Sequence, residues 1–344
     1  MSTKRYLNIL VCGGCGFIGS HFIRKIYENY PHYKIFNLDL LTYAGQNGNL
    51  DDLEGCKRYK LIQGDICDTQ LLTKLFSTYQ FAYVVNFAAE SHVDRSIFNS
   101  YAFIHTNVNG VHSLIDACRT FKVPRFVQIS TDEVYGDVLH GYSDEEAPLR
   151  PSSPYSSSKA AGDLLVQAYM RTHGLPAIIL RGANNFGFYQ YPEKLIPLAI
   201  ISMIKGEKIP VHSSGEQIRN WLHVADFCSA IDLAMHRACD FSIYNVSDSE
   251  KKNIQVLKMI ARILQKDLDS HKVHTKDRPG GDWRYAPNSE KIRNKLGWSP
   301  QYHLEDSLEE VVRWYQKNTN WWQSILSKQE IWDHYQKQFQ AQYF

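Results

Sequence analysis

Between Leu7 and Asp39 the chain runs strand, glycine loop, helix, strand, acid, an order that fits a doubly wound α/β parallel sheet of the Rossmann type better than any other architecture. Leu7 to Val11 (LNILV) is an apolar strand. Gly13, Gly16, Phe17, Ile18 and Gly19 make a loop that opens a helix near Ser20, and Lys34 to Leu38 (KIFNL) is a second strand ending at Asp39. Glycines at these three places allow a tight turn, close approach of backbone N–H groups to a pyrophosphate, and packing of helix on strand. A glycine triplet alone is weak, because any sharp turn wants glycine; the strand before it and the acid 20 residues after Gly19 carry the reading. Asp39 would accept hydrogen bonds from the adenosine ribose hydroxyls and repel a 2′-phosphate, and nothing basic follows it directly, so the expected cofactor is NAD and not NADP.

The unit repeats. Further strands are predicted at Tyr59 to Gln63, Tyr83 to Phe87, Arg125 to Ser130 and Ala177 to Arg181, with helix-length segments between them. Ligands of such sheets sit at the carboxyl ends of the strands, so the segments at 65–66, 88–91, 130–133 and 181–185 should line one crevice. Of 344 residues, 44% are hydrophobic and 22% charged, which excludes a disordered chain and suits a large and a smaller lobe. With 38 basic against 36 acidic side chains and no run of like charge, neither nucleic acid nor a membrane surface is an expected partner. The first apolar run is too short for a signal sequence, so the expected location is the cytoplasm. Seven cysteines, an odd number, predict reduced thiols. Cys12 and Cys15 have CxxC spacing but no second pair or histidines to complete a zinc site, and no metal is expected.

Two further patterns carry chemistry. Tyr155 and Lys159 stand four apart at the start of a predicted helix, on one face, where a cation near the phenol would lower its pKa and let it take a proton from a sugar hydroxyl. Asp132 and Glu133 end the strand RFVQIS. An adjacent acid pair is often just a polar helix start, but in an enclosed site two such carboxyls can hold different pKa values, one donating and one accepting a proton. That division of labour suits elimination of water: oxidation at C4 of a hexose acidifies C5, Glu133 removes that proton, and Asp132 protonates the departing C6 hydroxyl.

The blocks GGCGFIGSHF, LLTYAG, NFAAESHVDRSI, ISTDEVYG, SPYSSSKAAGD, NNFGFYQYPEKLIP, QIRNWLHVADF and RPGGDWRYA closely resemble those of the nucleoside-diphosphate-glucose 4,6-dehydratases, in the extended short-chain dehydrogenase/reductase superfamily, over nearly the whole chain to about Trp322. The resemblance implies roles. Thr131 would position the sugar 4-hydroxyl and Tyr155, Asp132 would be acid and Glu133 base, Tyr155 would accept the 4-hydroxyl proton, and Lys159 would hold the nicotinamide ribose. Asp65 and Ile66 would flank the adenine, with Ala88, Thr106 and Asn184 along the cofactor. The nucleotide sugar would meet Ser91, Asn185, Glu193, Lys194, His212, Arg219, Asn245, Arg278 and Tyr285. Lys194, Arg219 and Arg278 supply the compact charge and forked donors that a diphosphate needs.

The chain departs from the bacterial dTDP-glucose pattern at Leu40 (Lys), His212 (Tyr), Asn220 (Asp) and Gly281 (His). Residue 212 would stack on the base, and histidine there resembles the eukaryotic enzymes acting on UDP-glucose, so UDP-glucose is expected ahead of dTDP-glucose, on the way to rhamnose or another deoxysugar. The expected domains are residues 1–185 for NAD binding, with a return around 223–246, and 186–222 with 247–322 for substrate. Residues 323–344 form a tail of unread role, with SILSKQEIWDHYQKQF a candidate amphipathic helix. The resemblance further implies a homodimer formed through helices, one of them carrying Tyr155 and Lys159. Two rivals are a nucleotide-sugar 4-epimerase, which needs Tyr155 and Lys159 but not the acid pair, and a non-catalytic NAD-binding protein, which needs neither.

Overall fold

The computed structural model describes residues 6–328. Twelve strands are present among them: β1 Leu7–Cys12, β2 Tyr33–Asp39, β3 Tyr59–Gln63, β4 Phe81–Asn86, β5 Phe126–Thr131, β6 Ala177–Gly182, β7 Asn184–Phe186, β8 Ile209–His212, β9 Ile218–His223, β10 Ser242–Val246, β11 Ser249–Lys252 and β12 Lys272–Thr275. The helices are α1 Phe17–Asn29, α2 Thr69–Thr78, α3 Val93–Phe98, α4 Ser100–Ile104, α5 Val111–Thr120, α6 Pro154–His173, α7 Leu195–Lys205, α8 Val224–Arg237, α9 Asn253–Ile263, α10 Glu290–Leu296, α11 Leu304–Lys317 and α12 Thr319–Leu326. No helix among the described residues is long and apolar enough to cross a membrane.

Seven strands form one parallel sheet in the order β10-β6-β5-β4-β1-β2-β3, so the expected doubly wound sheet is present. Its strands are short apolar runs buried on both faces, as a parallel sheet covered by helices requires. Alternation along β1 shows both faces at work. Ile9 and Val11 pack with Phe22, Ile23 and Ile26 of α1 and Phe227 and Ile231 of α8. Leu10 and Cys12 pack with Leu72 and Phe76 of α2, Leu114 and Ile115 of α5 and Val166 of α6. β1 pairs with both β2 and β4, which places the reversal of winding, and hence the crevice, at the carboxyl ends of β1 and β4.

A second core lies beside this sheet, around the three-stranded sheet β11-β9-β7 and the pair β12-β8. The strongly apolar α7 is buried along most of its length, with Pro197 tolerated because it falls in the first turn. Trp322, Ile325 and Leu326 of α12 close this core. Most of the tail, residues 329–344 with much of the candidate amphipathic helix, lies outside the described residues. α12 also reaches the first lobe: Trp321 donates to Asn49 Oδ1 at 2.9 Å, and Asn49 Nδ2 donates to the Cys15 carbonyl of the glycine loop at 2.9 Å.

Two local devices set the site. α6 begins with a reciprocal cap between Ser153 and Ser156 and with Pro154 in its first turn, so Tyr155 has a fixed place on the helix. Between α4 and α5 the segment His105–Gly110 is wound wider, as a π-turn that projects Thr106 and Asn107 toward β4. The same α6 carries Asp163, fully buried, which takes a 2.9 Å hydrogen bond from Arg181 Nε at the end of β6. Removing one partner of such a pair strands the other charge, so Asp163→Ala is expected to lower stability by about 3–5 kcal/mol and Asp163→Ala with Arg181→Met by clearly less. Denaturant midpoints of the two variants check this.

Candidate active site

The glycine loop is shaped by contacts that exclude side chains. Gly13 has φ +74°, and a Cβ there would lie 2.5 Å from the Ala88 nitrogen; a Cβ on Gly19 would lie 2.4 Å from the Gly13 carbonyl oxygen. The helix starts at Phe17, three residues earlier than expected, directly behind Gly16, so its free N–H groups open onto the crevice. Asp39 does more than the sequence indicates: its Oδ2 accepts from Cys15 N and its Oδ1 from Leu41 N, both at 2.8 Å, which ties the loop to the end of β2. A carboxylate has about four lone-pair sites, so capacity for ribose hydroxyls is left. Burial pushes Asp39 up, and these two N–H groups pull it back.

A cleft runs from this loop along the carboxyl ends of the strands. Gly13, Gly16, Phe17, Ile18, Gly19, Asp39, Asp65, Ile66, Ala88, Thr106 and Asn184 all line it, with Thr131, Asp132, Glu133 and Tyr155 at its far end. A second hollow continues from there between the two cores, lined by Leu195, His212, Gln217, Arg219, Asn253 and Arg278. Ser91, Glu133, Asn184, Asn185, Glu193 and Lys194 face both parts, so the junction is polar. The apolar floor, the glycine cradle and Asp39 fit an adenine dinucleotide. Ser130 Oγ, Asn184 Oδ1 and Asn185 Oδ1 are buried at the cleft with no hydrogen-bond partner, as expected of groups that serve a ligand.

At the junction, β5 ends in Thr131 and turns through a short 3₁₀ segment that Thr131 caps. Asp132 is 2% exposed; its Oδ1 takes a 3.3 Å hydrogen bond from Thr131, and its Oδ2 has no partner. Burial, and after it the neighbouring Glu133 charge, push Asp132 well above the usual carboxylate value, toward its neutral form. Glu133 is half-buried and is also raised, but Arg278, Arg219 and Lys194 oppose the shift and favour its charged form. Tyr285 donates to Glu133 Oε2 at 3.3 Å and to Asp282 Oδ2 at 2.9 Å. The two acids thus differ in the way an acid and a base must.

Tyr155 and Lys159 depart from the simple expectation. Burial and the Glu133 charge raise the Tyr155 phenol, with a hydrogen bond to Thr131 acting the other way. Lys159 donates to the Ile129 carbonyl at 2.7 Å, and burial lowers it to about 8. That hydrogen bond ties α6 to the backbone of β5.

Among the remaining residues singled out from the sequence, Lys194 donates to the Ser91 carbonyl at 2.7 Å, Glu193 is held by Arg95 Nε at 2.8 Å, Arg219 lies 4.3 Å over the Tyr285 ring, and Arg278 is 3.5 Å from Asp94. Tyr285 stands behind Glu133. Asn245 is not brought to the cleft: it is fully buried, with Oδ1 accepting from Tyr135 at 2.7 Å and Nδ2 donating to Ser143 at 3.0 Å, because β10 is a strand of the main sheet. Asn253, not singled out from the sequence, stands at the N-terminus of α9 with a buried, unpartnered Oδ1 in the second hollow. The polar KKN before the apolar run IQVLKMIARI was the available signal. Asn107 was also missed. It is 1% exposed and clamps Glu90 N and O and the Ser158 hydroxyl, joining the β4 loop to α6.

Residues 10–311 match the family model described as GDP-mannose 4,6 dehydratase. The chain is 41% identical over 329 residues to a dTDP-glucose 4,6-dehydratase of Streptomyces niveus, covering 94% of this chain and 97% of that protein, and 43% identical to one of Neisseria meningitidis, covering 93% and 96%. Among solved structures, the dTDP-glucose 4,6-dehydratase DesIV of Streptomyces venezuelae, with NAD bound, has a TM-score of 0.90 at 40% identity over 93% of this chain and all of that one. A UDP-glucose 4-epimerase of Thermotoga maritima has a TM-score of 0.84 at 28% identity, over 91% of this chain and all of that one. Because Lys159 is charged only below about pH 8, dinucleotide affinity is expected to fall as pH rises through that value. Fluorescence titration across the range tests it; constant affinity up to pH 10 would contradict a cofactor role for the ammonium.

Proposed function

Because the chain belongs to the nucleoside-diphosphate-sugar 4,6-dehydratases of the extended short-chain dehydrogenase/reductase superfamily, a group of NAD-dependent hydro-lyases, we propose how its own residues divide the reaction. When bound, NAD supplies the carrier that takes a hydride from C4 of the hexose and gives it back at C6. Tyr155 accepts the 4-hydroxyl proton as the phenolate, a form that burial and the Glu133 charge disfavour in the empty pocket and that the positive charge of NAD⁺ would favour when bound, with Thr131 hydrogen-bonded to the same phenol. The resulting 4-ketone makes the C5 proton acidic; Glu133 removes it and Asp132 gives its proton to the leaving C6 hydroxyl. The single observation that carries this division is the asymmetry of the acid pair: Asp132 is buried with one oxygen unpartnered and is pushed toward its neutral form, whereas half-buried Glu133 faces three cations. An epimerase has no use for either group.

Lys194, Arg219, Arg278 and Asn253 surround the second hollow and suit a diphosphate, leaving His212 at its outer part for the base. Of the departures noted in the sequence, Asn220 accepts from Asp248 N at 2.8 Å, whereas Gly281 lines this hollow close against Arg278, where a Cβ would lie 3.1 Å from the Arg278 Cγ. The curated relatives named above act on dTDP-glucose, so their names do not support the preference for UDP-glucose drawn from His212. We take both as candidate substrates, leading to a 4-keto-6-deoxyglucose nucleotide. A homodimer is supported by apolar side chains left exposed on the adjoining helices α4 and α6, Tyr101 at 76% and Leu164 at 55%. A reducing cytoplasm suits the seven unpaired cysteines.

Incubation with UDP-glucose and dTDP-glucose in competition is expected to give a 4-keto-6-deoxy product without added NADH, at a rate ratio that identifies the base; a galactose nucleotide as sole product would favour the epimerase. Glu133→Gln is expected to bind NAD normally and to slow C5 exchange with solvent by about 10²–10⁴-fold. Unchanged exchange would remove Glu133 as the base.

A further inference from the structure

At the adenine end of the cleft, three side chains of metal-ligating type come together from two elements. Asp65 and Cys67 lie on the loop after β3, and His105 opens the π-turn between α4 and α5. One ligand atom from each, a carboxylate oxygen, Sγ and a ring nitrogen, falls within 4.8 Å of the others, and among the described residues no other such group of three is found. We propose that Asp65, Cys67 and His105 form a binding site for a divalent cation of the Zn²⁺ type, sharing Asp65 with the adenosine end of the cofactor site. The sharing rests on the cofactor assignment above; the cation site itself does not.

The Asp65–His105 separation suits a small tetrahedral ion, and Cys67 Sγ lies within 4.8 Å of both ligand atoms. Asp65 Oδ2 and His105 Nε2 are 3.2 Å apart, close to the ~3.3 Å edge of a tetrahedron with bonds of about 2.0–2.1 Å to nitrogen and oxygen. Asp65 Oδ1 is fixed by Cys67 N at 2.8 Å, which holds the carboxylate in place and leaves Oδ2 for the ion. Cys67 Sγ already lies against the histidine, donating to the His105 carbonyl at 3.2 Å, and the His105 ring is stacked on Tyr101 with an interplanar angle of 17°. On binding, the thiol gives up its proton to solvent and its sulfur forms the bond to the ion; no electron changes hands. A carboxylate and a thiolate then balance the 2+ charge, the histidine ligates as the neutral imidazole, and water takes the fourth position.

The other cysteines lack this setting. Cys12, Cys15, Cys118 and Cys228 are buried in the core, and Cys56 and Cys239 have no comparable cluster around them. Since the ion and adenosine would both engage Asp65, each should weaken the other.

The test uses the full chain and Co²⁺, whose bond to a thiolate gives a near-ultraviolet charge-transfer band. NAD binding is first followed alone by tryptophan quenching; failure there would count against the cofactor site and leave the cobalt result to stand separately. One equivalent of Co²⁺ is expected to produce the band, Cys67→Ser to abolish it while retaining NAD quenching, and His105→Gln to weaken cobalt affinity by roughly tenfold or more. Saturating NAD is expected to weaken it too. Absence of the band, its survival in Cys67→Ser, or a cobalt affinity indifferent to NAD would overturn the proposal.

Discussion

Two neighbouring carboxyl groups taken out of water beside a buried phenol cannot all be charged, and the arrangement around β5 resolves this constraint. Asp132 is buried, is pushed toward its neutral form and has one oxygen unpartnered; Glu133 is opposed by the charges of Arg278, Arg219 and Lys194 and retains its charge more readily. Their different surroundings arise one residue apart, on a turn capped by Thr131. Everything else in the molecule holds that turn at the meeting point of two ligand hollows.

The support is made of buried polar contacts as much as of apolar packing. Asn107 couples the β4 loop to α6, the Ser153–Ser156 cap sets the start of α6, and Lys159 reaches across to the β5 backbone. On the other side, Tyr285 and Asp282 back Glu133, and Arg219 is clamped over Tyr285 by the carbonyls of Asp282 and Trp283. Glu193, which faces both hollows, is held by Arg95 and by Tyr43 from the loop beyond Asp39, so the cofactor and substrate sides share one network.

The main sheet was legible in the sequence because its strands are short apolar runs followed by small or polar residues; six of its seven strands fall within two residues of the expected ones, and β10 was expected only as a return of the chain around 223–246. The glycine cradle, the acid pair and the Tyr155 face were legible for the same reason: each is local. What the sequence did not disclose is set by distance along the chain. Arg278 meets Asp94 across 184 residues and Arg95 meets Glu193 across 98, and neither pairing has a local pattern. Asn245 and Asn253 illustrate the limit well. Asn245 lies inside β10, whose pairing with β6 buries it, while Asn253 follows β11 at the start of α9, which presents it to the hollow. The behaviour of Lys159 was misjudged because spacing on a helix fixes a face and says nothing of which acceptor the ammonium finds.

The central claim is that one pocket removes a hydride from C4 and restores it at C6 of the same sugar. The most direct measurement is single-turnover reaction of nucleotide glucose carrying deuterium at C4, with the product examined by mass spectrometry and NMR. The account predicts one deuterium in the C6 methyl group of the product. Deuterium lost to solvent, or returned to C4 of an unreduced hexose, would contradict it.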